Sequence, residues 1–163
     1  MRELKIKNNQ KFLFLRMSNF QNFDFFEEHN KIIEEKGYVW ILKMGRKIDK
    51  NYLKELIKND SGIIIKKPSR LDDRLFYCKL ESIDYDNSSI FPDYYYDYLT
   101  YNGYKVSDLT NNNSCWFKIS EISLIPESIA DSLVVSKNNN SLKNAAINSR
   151  TPYIFCNYLK GSE

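Results

Sequence analysis

The sequence predicts an α+β fold: a small curved mixed sheet or open β-barrel with helices packed on it. Strand-like runs rich in β-branched and aromatic residues outnumber the stretches with helical periodicity. Only the first strands alternate with helices, and short turns join the middle ones, which argues against a doubly wound parallel sheet. At 163 residues the chain is expected to form a single domain. Within it, residues 1–10 are a loose lead-in and 161–163 a short tail.

The first strand and helix have clear local signals. Residues 11–17 are almost continuously apolar, which predicts a strand covered on both faces. Asp24 and Glu27 have the spacing of a capping box, so a helix is expected from Asp24 to about residue 36. Gly37 fits the left-handed position at which many helices end.

The segment 37–45 is the best-defined part of the pattern, and it carries Trp40. Residues 38–44 are rich in β-formers and predict the second strand. Side chains alternate along a strand, so Val39, Ile41 and Lys43 are expected on one face. Tyr38, Trp40 and Leu42 are then expected on the other face.

The remaining elements follow from shorter signals. Asp49 can cap a second helix. Pro126 opens a short helical segment, and Pro152 favours an edge position for the last strand. The predicted helical ranges are 49–59, a short stretch after 126, and 142–147, and the predicted strands are 62–66, 75–83, 115–124 and 151–156.

Residues 84–113 form a long tyrosine-rich segment without clear periodicity. Connections of this length are unusual in a compact domain, and many are functional. From Glu81 to Asp108 there are six acidic residues against Lys105 alone. This segment is therefore expected to be a lid over a pocket, a surface for a protein partner at 93–104, or a packed irregular cap.

Charge and cysteine use restrict the class of protein. The net charge of +3 does not by itself imply nucleic-acid binding. From Lys43 to Arg74, however, there are ten Lys/Arg against five Asp/Glu, which indicates a basic face or a solvated one. Three widely spaced cysteines and a single histidine predict no metal site and no cofactor. No apolar run approaches a membrane span or a signal peptide, so a cytoplasmic protein is expected.

The first 45 residues resemble the opening of PUA-like domains, above all the YTH and EVE branches. The likeness rests on the strand Lys11–Ser18, a short loop, a helix with His29, and Gly37-Tyr-Val-Trp40. The later Trp116-Phe-Lys-Ile strand and short tail helices also resemble PUA-like proteins of bacterial defence loci. Where YTH domains carry a Lys-Ser pair after the first strand, this chain has Met17-Ser18.

The resemblance implies a pocket that takes a modified base flipped out of a nucleic acid. Trp40 would be one wall of an aromatic cage, and Ser18 and Asn19 would read the edge of the base. Trp116 or a tyrosine of the 94–104 segment, such as Tyr95, would supply the second wall.

The residues themselves leave alternatives open. Strand tryptophans usually fill cores, so Trp40 and Trp116 are either core anchors or stacking walls. Lys43, Arg46 and Lys47 follow Trp40 and either contact phosphates or form a solvated turn. His29 lies among apolar helix neighbours, which is typical of a packed histidine rather than a catalytic one.

Three functions remain as hypotheses. The first is a non-enzymatic PUA-like module that recognises a modified base or nucleotide, linked to bacterial or phage defence. The second is an interaction protein from a phage or mobile element that inhibits or sequesters a host defence component through residues 93–104. An RNA hydrolase of the ASCH type is the third, and it lacks a visible catalytic constellation or phosphate-binding motif.

Overall fold

A seven-stranded mixed sheet with helices on both faces forms the core of the protein. The structure is a computed structural model that describes residues 6–17, 24–43, 48–84, 115–149, 151 and 153–159. The strand order is β2-β5-β4-β3-β1-β7-β6. Strands β1 and β3 pair in parallel, and the other pairs are antiparallel. The α+β class predicted from the sequence is confirmed, and the sheet is open, with β2 and β6 at its edges among the described strands.

The elements follow one another in the order strand, helix, strand, helix, three strands, and a tail of two short helices and two strands. Their bounds are β1 Lys11–Arg16, α1 Phe25–Lys36, β2 Val39–Lys43, α2 Lys50–Lys58, β3 Gly62–Lys66, β4 Phe76–Asp84, β5 Cys115–Leu124, α3 Glu127–Ala130, β6 Leu133–Val135, α4 Leu142–Asn148 and β7 Tyr153–Tyr158.

Strand β1 is buried on both faces, as its continuous apolar sequence predicts. Leu13 and Leu15 point into one core cluster, which α1 and α2 cover. Phe12 and Phe14 point into a second cluster, to which β6 contributes and which α3 and α4 cover. All four side chains are fully buried. Two apolar layers on one strand make β1 the centre of the fold.

The two longer helices begin and end where the sequence predicts. The Asp24 carboxylate accepts from the Glu27 amide at 3.0 Å, and Asp49 accepts from the Asn51 amide at 2.9 Å. Gly37 ends α1 with φ of 85°, in the left-handed region. Side-chain caps satisfy amides that a helix leaves unpaired in its first turn.

Three details of the prediction need correction. Strand β6 is absent from the prediction, because its three residues are held by pairing with β7 rather than by a local pattern. Strand β7 is not an edge strand, since β1 pairs with it on one side and β6 on the other. Asp84, predicted to open the tyrosine-rich segment, is the last residue of β4.

Candidate functional site

A basic pocket lies where β1 and β2 end. Its volume is about 440 Å³, within the range of small-molecule sites. Three cationic side chains line it from three parts of the chain: Arg16 from β1, Lys43 from β2, and Arg70 from the turn after β3. The other described lining residues are Pro68, Ala146, Ile147, Ser149 and Thr151. None of the described residues that line this pocket is acidic.

Arg16 anchors the wall that α4 contributes. Its Nη2 donates to the carbonyl of Ala146 at 3.0 Å and of Ser149 at 2.8 Å, and its Nε donates to Ala146 at 3.3 Å. Its Nη1 donates to the carbonyl of Thr151. Carbonyls at a helix C-terminus lack intrahelical partners and carry partial negative charge, so a guanidinium suits this position. Burial lowers the pKa of Arg16, although a guanidinium remains protonated in proteins.

Lys43 reaches the same pocket from β2, an edge strand among the described strands. It is the last residue of β2, paired with Cys115 of β5. Strands β2 and β1 stand four places apart in the sheet, yet Lys43 and Arg16 line one cavity. Burial lowers the pKa of the Lys43 amino group, and the charge of Arg16 lowers it further. The predicted phosphate contact Lys43 thus belongs to a cluster of like charges.

A buried lysine holds the turn that carries Arg70. The Lys66 side chain is only 2% exposed, and its Nζ donates to the carbonyls of Lys67 and Ser69 at 2.8 Å each. Burial lowers the pKa of Lys66, whereas the charge of Asp72 raises it and that of Arg16 lowers it. Arg70 itself is exposed. Lys66 therefore fixes the backbone of the turn that carries Arg70.

Two acidic groups near this turn form ion pairs. Asp72 accepts two hydrogen bonds from Arg74, at 2.9 and 2.8 Å. The hydrogen bond from Arg74 lowers the pKa of Asp72 to about 2. Asp24, at the start of α1, forms an ion pair with Lys67. Neither carboxylate belongs to the described lining of the pocket.

Trp40 is not sealed in the core. It is half-buried and belongs to neither of the two clusters described above. It pairs with Lys118, whose amino group lies 6.0 Å from the Trp40 ring centroid and 4.3 Å from that of Tyr38. Val39 and Ile41 point into the α1 and α2 side of the sheet, so alternation places Trp40 on the other face. Trp40 and Lys43 therefore project from opposite faces of β2, and Trp40 does not line the described part of the Arg16 pocket.

Trp116 shares the face of Trp40 but is fully buried. It pairs with Leu42, two residues along β2 from Trp40, so the two indoles are diagonal neighbours across β2 and β5. A ligand therefore cannot reach the Trp116 ring in this conformation.

The other predicted contacts lie outside the described residues. These are Ser18 and Asn19 after β1, Arg46 and Lys47 after β2, Tyr95, and the partner surface proposed for 93–104.

His29 is a packed residue. Its Nδ1 lies 2.7 Å from the Phe25 carbonyl, and its ring stacks on Phe25 with centroids 4.0 Å apart. Burial lowers the pKa of His29 despite this hydrogen bond. All three cysteines are buried and free, and burial raises the pKa of Cys115 to about 12. No group of His, Cys, Asp and Glu suited to a metal ion occurs among the described residues.

Arg16 and Arg70 were not among the predicted site residues. The sequence shows both as charges, Arg16 at the end of an apolar strand and Arg70 in a basic turn. Nothing local shows that they meet Lys43. One signal could have identified Arg16. It is the last residue of a strand that is buried on both faces, and a charge in that position needs partners.

Comparison with protein families, with curated proteins and with solved structures gives no match to this chain. Among the described residues, no helix is both long and apolar enough to cross a membrane. The geometry of the pocket is therefore what supports a function.

Proposed function

We propose that this protein is a non-enzymatic binding module of PUA-like architecture that recognises a nucleotide, either free or within a nucleic acid, and reads a modified base. The observation that carries the proposal is the convergence of Arg16, Lys43 and Arg70 on one pocket without an acidic residue among the described lining. Cationic side chains that converge from separate elements suit a phosphate group.

The architecture supports the PUA-like part of the proposal. The first five strands and two helices follow one another in the predicted order. Strands lie about 4.8 Å apart, so a flat sheet would hold β2 and β1 roughly 19 Å apart. The pairings also make β2 antiparallel to β1 and place Lys43 and Arg16 at opposite ends of such a sheet. Because Lys43 and Arg16 nevertheless line one cavity, we infer a strongly coiled sheet that brings these two strand ends together.

The two faces of β2 divide the proposed contacts. Lys43 serves the phosphate in the pocket, whereas Trp40 stacks a base on the opposite face. Because Trp40 is not part of the described pocket lining, we expect a mononucleotide in the pocket to contact Lys43 but not Trp40, and a strand that passes over the β2 edge to contact both. Ser18 and Asn19, and Arg46 and Lys47, continue the chain from β1 and β2 and remain proposed contacts to base and phosphate.

Binding measurements on matched charge variants test the proposal. Fluorescence anisotropy with a labelled single-stranded oligonucleotide, and calorimetry with nucleoside monophosphates, should show binding that Lys43→Glu weakens at least tenfold. Lys54→Glu makes the same charge change on the exposed surface of α2 and should have a much smaller effect. Equal losses in both variants would indicate non-specific attraction and would refute a pocket.

Trp40→Ala provides the second measurement. Loss of one stacked base costs roughly 1–3 kcal/mol, so strand binding should fall by about one order of magnitude while mononucleotide binding stays constant. A Trp40→Ala protein that binds strands normally would remove Trp40 from the site. Circular dichroism of each variant checks that the fold is retained.

A further inference from the structure

We propose that the Arg16 pocket selects a phosphomonoester, meaning a terminal phosphate, over the internal phosphodiester of a nucleic-acid chain. This inference rests on the proposed function and specifies its ligand. The ligand is then a nucleoside monophosphate or the phosphorylated end of a strand, since both present the same group.

The first reason is charge. A phosphomonoester carries about −1.5 to −2 at pH 7, whereas a diester carries a single negative charge. Arg16, Lys43 and Arg70 line the pocket, and none of its described lining residues is acidic. Coulomb energy is proportional to the charge of the ligand, so the attraction between each of these cations and a dianion is up to twice its attraction to a monoanion.

The second reason is the direction of the donors. The N–H groups of Arg16 are turned toward carbonyls of the α4 end and of Thr151, so Arg16 supplies charge rather than hydrogen bonds to a ligand. Lys43 and Arg70 approach from different elements. A monoester offers three terminal oxygens for donors from separate sides, whereas a diester offers two. An exposed guanidinium such as Arg70 can contact two phosphate oxygens at once.

The third reason is the shape of the lining. Apolar groups of Pro68, Ala146 and Ile147 lie beside the cations. Ser149 and Thr151 add hydroxyls, 2.9 Å apart, at the same rim. A pocket of about 440 Å³ with charge on one part and apolar surface on another suits a phosphate attached to one nucleoside. A continuous chain would have to enter and leave the same cavity.

Matched oligonucleotides test the inference. Anisotropy is measured on a ten-nucleotide strand with a 5′-phosphate, a 3′-phosphate or hydroxyls at both ends. At pH 7.5 we expect one phosphorylated strand to bind at least tenfold more tightly than the hydroxyl strand. The advantage should shrink at pH 5.5, because the second proton of a phosphomonoester binds with a pKa of about 6.

Two charge variants and a competitor complete the experiment. Arg70→Gln should reduce the preference, whereas Lys54→Gln, which removes an exposed charge of α2 outside the pocket lining, should retain it. A nucleoside monophosphate that competes as strongly as the strand identifies a free nucleotide as the ligand. A strand that binds more tightly and depends on Trp40 identifies a phosphorylated end.

The failures are distinguishable. Equal binding of phosphorylated and hydroxyl strands, with both sensitive to Lys43→Glu, would overturn the monoester preference and leave the proposed function standing. No binding of any strand or nucleoside monophosphate would overturn both.

Discussion

The Arg16 guanidinium donates two hydrogen bonds to the Ala146 carbonyl near the end of α4, from Nη2 at 3.0 Å and from Nε at 3.3 Å. The contact joins residues 130 positions apart in the chain and ties the central strand to the wall of the basic pocket. Loss of Arg16 should therefore affect stability and the pocket together.

Arg16→Met should lower the free energy of unfolding by roughly 2 kcal/mol, because hydrogen bonds from a charged donor contribute about 1.5–3 kcal/mol. Several carbonyls at the α4 end would lose their donor. Urea denaturation followed by circular dichroism measures the change. Lys31→Met, which removes an exposed ion pair with Glu28, should cost less than about 0.5 kcal/mol. An equal loss of unfolding free energy in the two variants would show that the hydrogen bonds of Arg16 to the α4 end do not stabilise the fold.

His29 should make stability depend on pH near neutrality. Burial lowers the pKa of His29 below its ordinary value of 6.5 in the folded protein. Below pH 6.5 the unfolded chain then binds more protons than the folded one, so stability is complete above 6.5 and declines as the pH falls. Urea midpoints between pH 7.5 and 5 measure the slope, and His29→Phe should flatten it. An unchanged slope in that variant would assign the titration to another group.

Asp72 should contribute to stability only above strongly acidic pH. The hydrogen bond from Arg74 lowers the pKa of Asp72 from 3.8 to about 2. This contribution is present above pH 3.8 and is lost as the pH falls toward 2. Since Arg74 is exposed, the effect should stay below about 1 kcal/mol. Thermal melts of Asp72→Asn should converge on those of the wild type at pH 2, and a gap that persists there would count against the pair.

Local signals predicted most of the fold and only part of the site. The Asp24 cap and the Gly37 terminator are read within a few residues, and both are where the sequence places them. Strand β6 was not predicted, because three residues are too few to show a periodicity and they form a strand only by pairing with β7. The parallel pairing of β1 with β3 could not be predicted for a similar reason, since it forms between segments 50 residues apart.

The site divides in the same way. Lys43 was predicted because a basic turn follows Trp40 in the sequence, and it lines the pocket. Its partners Arg16 and Arg70 come from segments that meet only when the sheet and α4 assemble. Alternation along β2 already placed Trp40 and Lys43 on opposite faces. This alternation could not show that Lys43 lines the same pocket as Arg16, the last residue of β1.

Gly62 and Gly37 should respond differently to an added methyl group. At Gly62 a Cβ atom would lie 2.3 Å from the Cys78 carbonyl oxygen and 2.7 Å from the Tyr77 ring. Because the carbonyl is backbone of β4, it cannot move without disturbing the pairing with β3. Gly62→Ala should cost about 1–3 kcal/mol, the range of overpacked sites. Urea denaturation measures it.

Gly37→Ala is the matched control, since a Cβ there meets nothing within 4 Å. Its cost comes from the positive φ of 85° alone, about 1 kcal/mol. Gly37→Asn should recover part of that cost, because asparagine tolerates the left-handed region. Gly62→Asn should recover nothing, since the obstacle at Gly62 is space rather than φ. Rescue by asparagine at Gly62 would show that β3 and β4 are less closely packed than the 2.3 Å approach requires.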